Sequence, residues 1–311
     1  MPGSLPLSDR AVRDGGAALA AAAATATASW AAYRGVYNYL NGQAQHARTV
    51  IPRPTDGAPN GDGVYYPDGT GPVRYRRGLD FNIHLVVFGD STGAGLGAEI
   101  ADETPGVLLA RSVAEHTGQV VRYSNKAIVG ATSKGLAGQI DAMLVAGDRP
   151  HVAVIIIGAN DVTATNGIRA SARRLGAAVR FLVDNDAKVV VATCPDFGVI
   201  TAIPQPLRTV LRRYGLRLAS AQRGAVRSAG GRAVPMADML AKSFREQPDS
   251  MLSPDHYHPS ATGYALAADI LLPEVLAAIG EWGPEPLPEP PEVSEAAEQR
   301  KPVNRLRRLF T

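Results

Sequence analysis

The sequence predicts an α/β protein with a mostly parallel sheet of five strands that is covered by helices on both faces. Short apolar runs alternate with longer segments of helical periodicity between residues 81 and 282. The apolar runs are continuous, which is typical of strands buried on both faces of a parallel sheet. A sheet of this kind binds its ligands beyond the carboxyl ends of its strands.

The predicted elements follow one another along the chain. The strands are Ile83–Phe88, Val120–Ser124, Val152–Ile157, Val189–Thr193 and a weaker Ala233–Met236. The helices are Val107–His116, Ser133–Leu144, Ile168–Val183, Leu207–Ser228 and Ala261–Ile279. Because helical segments separate the strands, both faces of the sheet are expected to be covered.

Composition limits the classes of partner. The 311 residues are 45% hydrophobic, which is enough for a sizeable core. The net charge of +3 comes mainly from arginines, many of them at helical spacing: Arg208, Arg212, Arg213, Arg217, Arg223 and Arg227. Such arginines usually form a solvated face, and no aromatic residues alternate with them, so we expect no nucleic-acid partner. Six histidines and one cysteine, Cys194, without a Cys-x-x-Cys motif, disfavour a structural metal site.

Residues 1–40 are predicted to form an alanine-rich helix, and two interpretations of it stay open. Residues 15–33 are uncharged, and this length favours a membrane anchor or a signal segment with Ala26-Thr27-Ala28 as a cleavage site. Alanine gains little in lipid, which favours a soluble helix with Trp30, Tyr33 and Tyr37 on one face. The protein is accordingly expected to be membrane-associated or exported, and otherwise cytoplasmic.

The chain changes character on either side of the predicted domain at residues 81–282. Residues 41–80 are rich in Pro, Gly, Asp and Tyr without a sustained period, which predicts a linker or a lid-like loop. Residues 283–311 are rich in Pro and Glu and then basic, which predicts a disordered tail.

A serine lies among small residues at the end of the first predicted strand, in Phe88-Gly89-Asp90-Ser91-Thr92-Gly93. A strand that ends in a tight glycine turn can hold a side chain clear of its backbone, as a nucleophilic hydroxyl requires. Alone, this pattern is better explained as an ordinary turn at the end of a strand. Ser91 therefore needs partners elsewhere in the chain.

Two other strand ends supply candidate donors. The third strand runs into Gly158-Ala159-Asn160-Asp161, where the Asn160 amide can donate hydrogen bonds to a developing oxyanion. Asp161 better fits a turn or a helix cap. The second strand leads to Gly130, whose backbone N–H can approach a substrate because no Cβ blocks it.

The segment Asp255-His256-Tyr257-His258-Pro259 precedes the last predicted helix. A histidine can accept the proton that a nucleophilic serine loses, and a carboxylate can fix the imidazole tautomer. We favour His258 over His256 as the base, because the immediate adjacency of His256 to Asp255 hinders alignment of the two side chains.

Together these motifs resemble the SGNH (GDSL-type) hydrolase superfamily. Four motifs occur in the family's order: Gly-Asp-Ser at 89–91, Gly130, Gly-x-Asn-Asp at 158–161 and Asp-x-x-His-Pro at 255–259. The resemblance covers the central domain and neither terminus. Ala131 departs from the pattern, since many relatives carry an acidic or other polar residue there, and this questions how the Gly130 loop is anchored.

The resemblance implies a three-layer αβα, flavodoxin-like fold, the SGNH hydrolase fold, and an esterase- or lipase-like enzyme without cofactor or metal. Ser91 would then be the nucleophile, His258 the base and Asp255 the residue that orients His258. The oxyanion hole would combine the N–H groups of Ser91 and Gly130 with the Asn160 amide. The expected substrate is a small-molecule acyl ester or a lipid.

Three alternatives remain at this stage. Residues 89–93 also fit the Gly-x-Ser-x-Gly elbow of α/β-hydrolases, although that fold usually carries its acid and its histidine on separate loops. Residues 93–98 fit a relaxed dinucleotide fingerprint, but the second strand does not end in the acidic residue that binds a ribose. A non-catalytic relative that only binds acylated ligands is the third.

Overall fold

The structure is a computed structural model that describes residues 30, 32–46, 49, 57–147, 149–291 and 294. The chain divides into two units, residues 1–49 and 50–311. In the first unit, residues 32–46 form helix α1. Tyr33 and Tyr37 stack on it with ring centroids 6.2 Å apart, and both side chains are exposed. Residues 1–29, and with them most of the alanine-rich segment, lie outside the described residues, so both interpretations of it stay predictions.

The second unit is built on one sheet of six strands in the order β1-β3-β2-β4-β5-β6. The strands are β1 Gly63–Tyr65, β2 Ile83–Gly89, β3 Val121–Asn125, β4 Val152–Ile156, β5 Lys188–Ala192 and β6 Arg232–Val234. Strands β2 to β6 pair in parallel, whereas β1 pairs antiparallel with β3. The five parallel strands are the five that the sequence predicts, and the predicted αβα fold with its mostly parallel sheet is confirmed.

Helices cover both faces of this sheet. They are α2 Ser91–Ala94, α3 Pro105–Thr117, α4 Leu136–Ala146, α5 Ala159–Thr163, α6 Ile168–Asp184, α7 Leu207–Ser228, α8 Met236–Glu246, α9 Pro248–Met251 and α10 Ala261–Ile279. Strand β2 sends Leu85 and Val87 to the core shared with α3 and α10. It sends Val86 and Phe88 to the core shared with α4 and α6. This alternation explains the continuous apolar run, because both faces of the strand are buried.

Strand β1 corrects two expectations. It adds a sixth strand to the predicted five, and it lies within residues 41–80, which composition predicts to be a linker. The segment is held by its neighbours: the Asn125 N–H donates to Asp62 Oδ1 at 2.7 Å, and the buried Tyr65 hydroxyl donates to the Gly61 carbonyl at 2.6 Å. A strand of three residues between glycines and prolines is too short for periodicity to reveal. The domain therefore begins before residue 81.

Helices α8 and α10 pack on the same face of the sheet as α3. Helix α8 is not predicted from the sequence, which instead predicts a weak strand that ends at Met236. Helix α10 is long and apolar enough to cross a membrane, with a mean hydropathy of 1.5. Its Leu271 and Val275 are fully buried in the core beside α3, so its apolar face has partners within the domain. Of the predicted tail at 283–311, residues 283–291 and 294 are described; the basic end lies outside the described residues.

The end of β2 approaches β4 very closely at Gly89. Its φ is +144°, and a Cβ at this position would lie 1.9 Å from the carbonyl oxygen of Ile156. The buried Gln139 side chain of α4 clamps the same residue, because its Oε1 accepts from the Gly89 N–H at 2.8 Å and its Nε2 donates to the Gly89 carbonyl at 2.7 Å. The chain therefore leaves β2 in one fixed direction.

The substitution Gly89→Ala tests this constraint. We expect it to lower the free energy of unfolding by about 3 kcal/mol or more, because the new methyl group collides with backbone and φ is unfavourable. Gly138→Ala, in an open position of helix α4, is the control and should raise stability by up to about 1 kcal/mol. Chemical denaturation measures both, and similar stabilities for the two variants would contradict the close approach.

Candidate active site

Ser91 is the first residue of α2, immediately after the end of β2. Asp90 caps this short helix, since its Oδ1 accepts from the Thr92 N–H at 3.0 Å. The first N–H groups of a helix have no acceptors within the helix, so the Ser91 N–H is left for a partner in the crevice. The turn at Gly89 thus presents both the hydroxyl and the N–H of Ser91 at the carboxyl edge of the sheet.

His258 lies against the serine. Its Nε2 is 3.1 Å from Ser91 Oγ, and its Nδ1 is 2.6 Å from Asp255 Oδ2. His258 is buried, whereas His256 is exposed and has a positive φ of 53°. The structure therefore brings His258, the histidine favoured from the sequence, to Ser91.

The loop before α10 holds Asp255 in its ionised form. Oδ1 of Asp255 accepts three further hydrogen bonds, from Ser253 Oγ at 2.7 Å, from the Tyr257 N–H at 2.8 Å and from the His258 N–H at 2.9 Å. Burial opposes ionisation of Asp255, but the hydrogen bonds from His258, Ser253 and Tyr257 outweigh it and hold the pKa of Asp255 well below its usual range. The carboxylate is thus charged at neutral pH and faces the imidazole Nδ1.

The loop that follows β3 brings Gly130 to the same edge. The Lys126 N–H donates to the Val87 carbonyl at 2.8 Å, and the Ile128 N–H donates to the Gly89 carbonyl at 3.1 Å, so the loop runs along the end of β2. Gly130 has a φ of +82°, a conformation that favours glycine. This accounts physically for the glycine in the second motif.

Asn160, in α5 at the end of β4, is tied to the Gly130 loop. Its Nδ2 donates to the Ala131 carbonyl at 3.0 Å, which fixes the side-chain amide beside Gly130. Since the amide nitrogen carries two hydrogens, one remains for a ligand. Ala131 anchors the Gly130 loop through its backbone, although its side chain is not polar. Its carbonyl accepts from Asn160, and its N–H donates to the Ile128 carbonyl.

Asp161 provides a second anchor for that loop. Its buried carboxylate accepts from the Ser133 N–H and the Ser133 hydroxyl, both at 2.7 Å, and from the Ser171 hydroxyl at 2.8 Å. No side-chain hydrogen bond caps α5, so of the two roles expected for Asp161, a turn or a helix cap, the helix cap is wrong. It fastens the Gly130 loop to the neighbouring elements instead.

Asp90, next to the nucleophile candidate, is a buried acid that sequence reasoning did not single out. Its Oδ2 accepts from the Gly158 N–H at 3.3 Å, which links the end of β2 to the end of β4. Burial raises its pKa to about 6, against the opposing effect of the hydrogen bonds from Thr92 and Gly158. Within the part of the chain that the structure describes, no group of three or more His, Cys, Asp or Glu side chains is placed to hold a metal ion.

A mostly apolar cavity of about 90 Å³ lies beside these residues. Part of its wall is made by chain neighbours of Ser91, Asn160 and His258. These neighbours are Asp90, Thr92, Ala159, Tyr257 and Pro259. Much of the rest comes from β4, β5, α8 and α10, including Leu240, Phe244 and Leu271, and the turn that follows β5 also contributes. The crevice is therefore polar at the serine and apolar behind it.

A serine hydroxyl contacts an imidazole, which in turn contacts a carboxylate, at the carboxyl edge of a doubly wound sheet, an arrangement typical of serine hydrolases. The model of the GDSL-like Lipase/Acylhydrolase family matches residues 87–266. A "GDSL-like esterase Rv1075c" of Mycobacterium tuberculosis (strain ATCC 25618 / H37Rv) is 56% identical over 275 residues, which is 88% of this chain and 87% of the relative. The chain belongs to the GDSL-like lipase/acylhydrolase family, and the ester-hydrolysing class of enzyme predicted from the sequence is confirmed.

Solved structures are similar as well. A member of the lipolytic protein G-D-S-L family from Veillonella parvula DSM 2008 is 18% identical with a TM-score of 0.49, over 63% of this chain and 99% of that one. The lipase/acylhydrolase from Enterococcus faecalis is 20% identical with a TM-score of 0.46, over 66% of this chain and 100% of that one. The family assignment replaces the α/β-hydrolase and dinucleotide-binding alternatives.

The burial of Asp90 has a measurable consequence for stability. Because the pKa rises from 3.8 to about 6 on folding, the folded state binds the proton more tightly than the unfolded chain. The contribution of this group to stability is full below about pH 4, decreases as the pH rises to about 6, and is lost above it, a change of about 3 kcal/mol. Between pH 4 and about pH 7, we expect the free energy of unfolding of the wild type to fall by most of that amount relative to Asp90→Asn. Denaturant titrations over this pH range measure it, and parallel pH profiles would contradict the assignment.

Proposed function

We propose that this protein hydrolyses carboxylic esters through an acyl-enzyme intermediate on Ser91. The observation that carries the proposal is the continuous contact from Ser91 Oγ to His258 Nε2 and from His258 Nδ1 to Asp255. Ser91 Oγ forms a bond to the ester carbonyl carbon while its proton passes to His258 Nε2. Collapse of the tetrahedral intermediate breaks the bond to the alcohol oxygen, which takes that proton.

Deacylation reverses these roles with water. His258 accepts a proton from the water that attacks the acyl carbon, and it returns this proton to Ser91 Oγ as the acid leaves. Asp255 stays ionised throughout and keeps Nδ1 of the imidazole protonated. Its hydrogen bonds within its own loop support this role, because they hold the pKa well below neutrality.

The negative charge on the carbonyl oxygen needs donors that are in place before the reaction. We assign this role to the N–H groups of Ser91 and Gly130 and to the free hydrogen of the Asn160 amide. The contact from Asn160 to Ala131 supports the assignment, because it fixes the amide before substrate arrives. Asp161 acts as a positioning residue, since it fastens the loop that carries Gly130.

The apolar cavity is the place for the acyl group of the substrate. Its wall includes the residues on either side of Ser91 and His258, and the remainder is supplied by side chains such as Leu240 and Phe244. An acyl chain that enters it leaves water, which favours binding by roughly 0.8 kcal/mol for each methylene group. A small-molecule acyl ester or a lipid with a chain that fits this cavity is the substrate class we propose.

Ser91→Ala tests the nucleophile. We expect turnover of chromogenic esters to fall by several orders of magnitude, on the order of 1000-fold or more, with an unchanged free energy of unfolding. Covalent labelling by a fluorophosphonate probe should disappear in the variant. Retained turnover would refute the nucleophile, and a wild type that takes no label would favour a protein that only binds acylated ligands.

Asn160→Ala tests the oxyanion donor. Loss of one preorganised donor should lower kcat by on the order of 100-fold to 1000-fold and leave KM nearly unchanged. Asn185→Ala is the matched control, because the Asn185 amide also donates to a backbone carbonyl, that of Phe181, on the exposed end of α6. Equal turnover of the two variants would remove Asn160 from the oxyanion hole.

A further inference from the structure

A cleft of about 300 Å³ lies beside the short turn that follows β5, where the first turns of α7 meet the end of α8. The described residues that line it are Gly198, Gln205, Arg208, Thr209, Arg212 and Arg245. Three of these are arginines and none is acidic. The wall of this arginine cleft is therefore positively charged.

Two of the three guanidinium groups are held by the same carboxylate. Arg212 Nε lies 2.9 Å from Asp196 Oδ1, and an Arg245 nitrogen lies 3.5 Å from Asp196 Oδ2. The Asp196 side chain is 1% exposed, so this anion is buried beneath the cleft. Asp196 orients the two arginines but is not itself among the residues that line the cleft.

The third guanidinium group carries the inference. Arg208 Nε is buried and has no hydrogen-bond partner among the described residues. A buried N–H of a charged group without an acceptor is costly, and such groups in native proteins call for an explanation. Guanidinium groups bind carboxylate and phosphate oxygens with paired N–H donors. Arg208 also lines the cleft, where an oxyanion would pair with the part of its guanidinium group that faces the opening.

The arginine cleft adjoins the catalytic crevice through two contacts. Asp196, which holds two of its arginines, also lines the apolar cavity beside Ser91. The Ala202 N–H, in the segment between the turn and α7, donates to the His256 carbonyl in the catalytic loop at 3.2 Å. The cavity and the cleft therefore lie on either side of one residue.

We infer that the arginine cleft binds an anionic group of the ester substrate, a carboxylate or a phosphate. This inference rests on the proposed function, since it places the ester at Ser91 and the anion beyond the apolar cavity. The substrate is then an ester whose acyl or alcohol part carries a negative charge. The arginines of α7 therefore do not all lie on one solvated face, as their helical spacing predicts. Arg208 and Arg212 line the cleft, whereas Arg213 is exposed.

The first measurement is calorimetric titration of the full-length protein with inorganic phosphate. We expect binding that Arg208→Gln weakens by about tenfold or more, as for loss of a hydrogen bond to a charged group. Arg208→Lys, which keeps the charge but lacks the paired donors, should weaken it less. Arg213→Gln, a neighbouring arginine outside the cleft, is the matched control and should bind phosphate as the wild type does. Equal phosphate affinity of Arg208→Gln and Arg213→Gln would overturn the inference.

The second measurement uses two series of 4-nitrophenyl esters, one of alkanoic acids and one of dicarboxylic half-esters of matched chain length. At the chain length that spans the cavity, we expect the half-ester to have a KM about tenfold lower than the alkanoate, and Arg208→Gln to abolish this difference. Phosphate should compete with the half-ester and not with the alkanoate. The alkanoates, which need only Ser91, report the proposed function independently.

Each result decides between the sources of the anion. Phosphate binding that depends on Arg208, together with a charge preference or phosphate competition, supports an anionic substrate. Phosphate binding without preference or competition at any chain length overturns the assignment to the substrate and leaves free phosphate as the ligand. Loss of activity on both series in Arg208→Gln would indicate a structural role and would also overturn the inference.

Discussion

The close approach of Gly89 to the Ile156 carbonyl is the constraint on which the whole crevice depends. It brings the end of β2 against β4, and the Gln139 side chain forms hydrogen bonds with both the N–H and the carbonyl of Gly89. The Gly89 carbonyl also accepts from the Ile128 N–H, so the loop that carries Gly130 takes its position from the same residue. One backbone junction therefore positions both the nucleophile candidate and the loop that carries Gly130.

Three buried or half-buried acids surround this junction, and their environments divide the work among them. Asp255 receives four hydrogen bonds and stays ionised, which suits an acid that faces an imidazole. Asp161 uses its oxygens to hold loops together. For Asp90, the effect of burial outweighs that of its two hydrogen bonds and raises its pKa to about 6. The same side-chain type thus faces an imidazole, anchors a loop or caps a helix, according to the donors around it.

The sequence could predict the five parallel strands because most of them lie in apolar runs between helical segments. It could predict Ser91, Asn160 and His258 as candidates because each follows a strand or precedes a helix. It could not predict Gln139, whose clamp depends on α4 packing over β2, a contact between residues fifty positions apart. The arginine cleft could not be predicted from the sequence for a related reason. Helical spacing places Arg208 and Arg212 on one side of α7, but only the fold shows that Asp196 lies beneath them.

The small strand β1 has a consequence for the integrity of the domain. It pairs with β3 and so occupies backbone groups along an edge that would otherwise be open. Open edges of parallel strands are templates for pairing with other chains, and native proteins commonly cover them. A domain trimmed at residue 81, where the composition changes, would lose this cover and present β3 to a second copy of itself. The Pro- and Gly-rich segment, which composition predicts to be a linker, therefore covers an edge of the sheet.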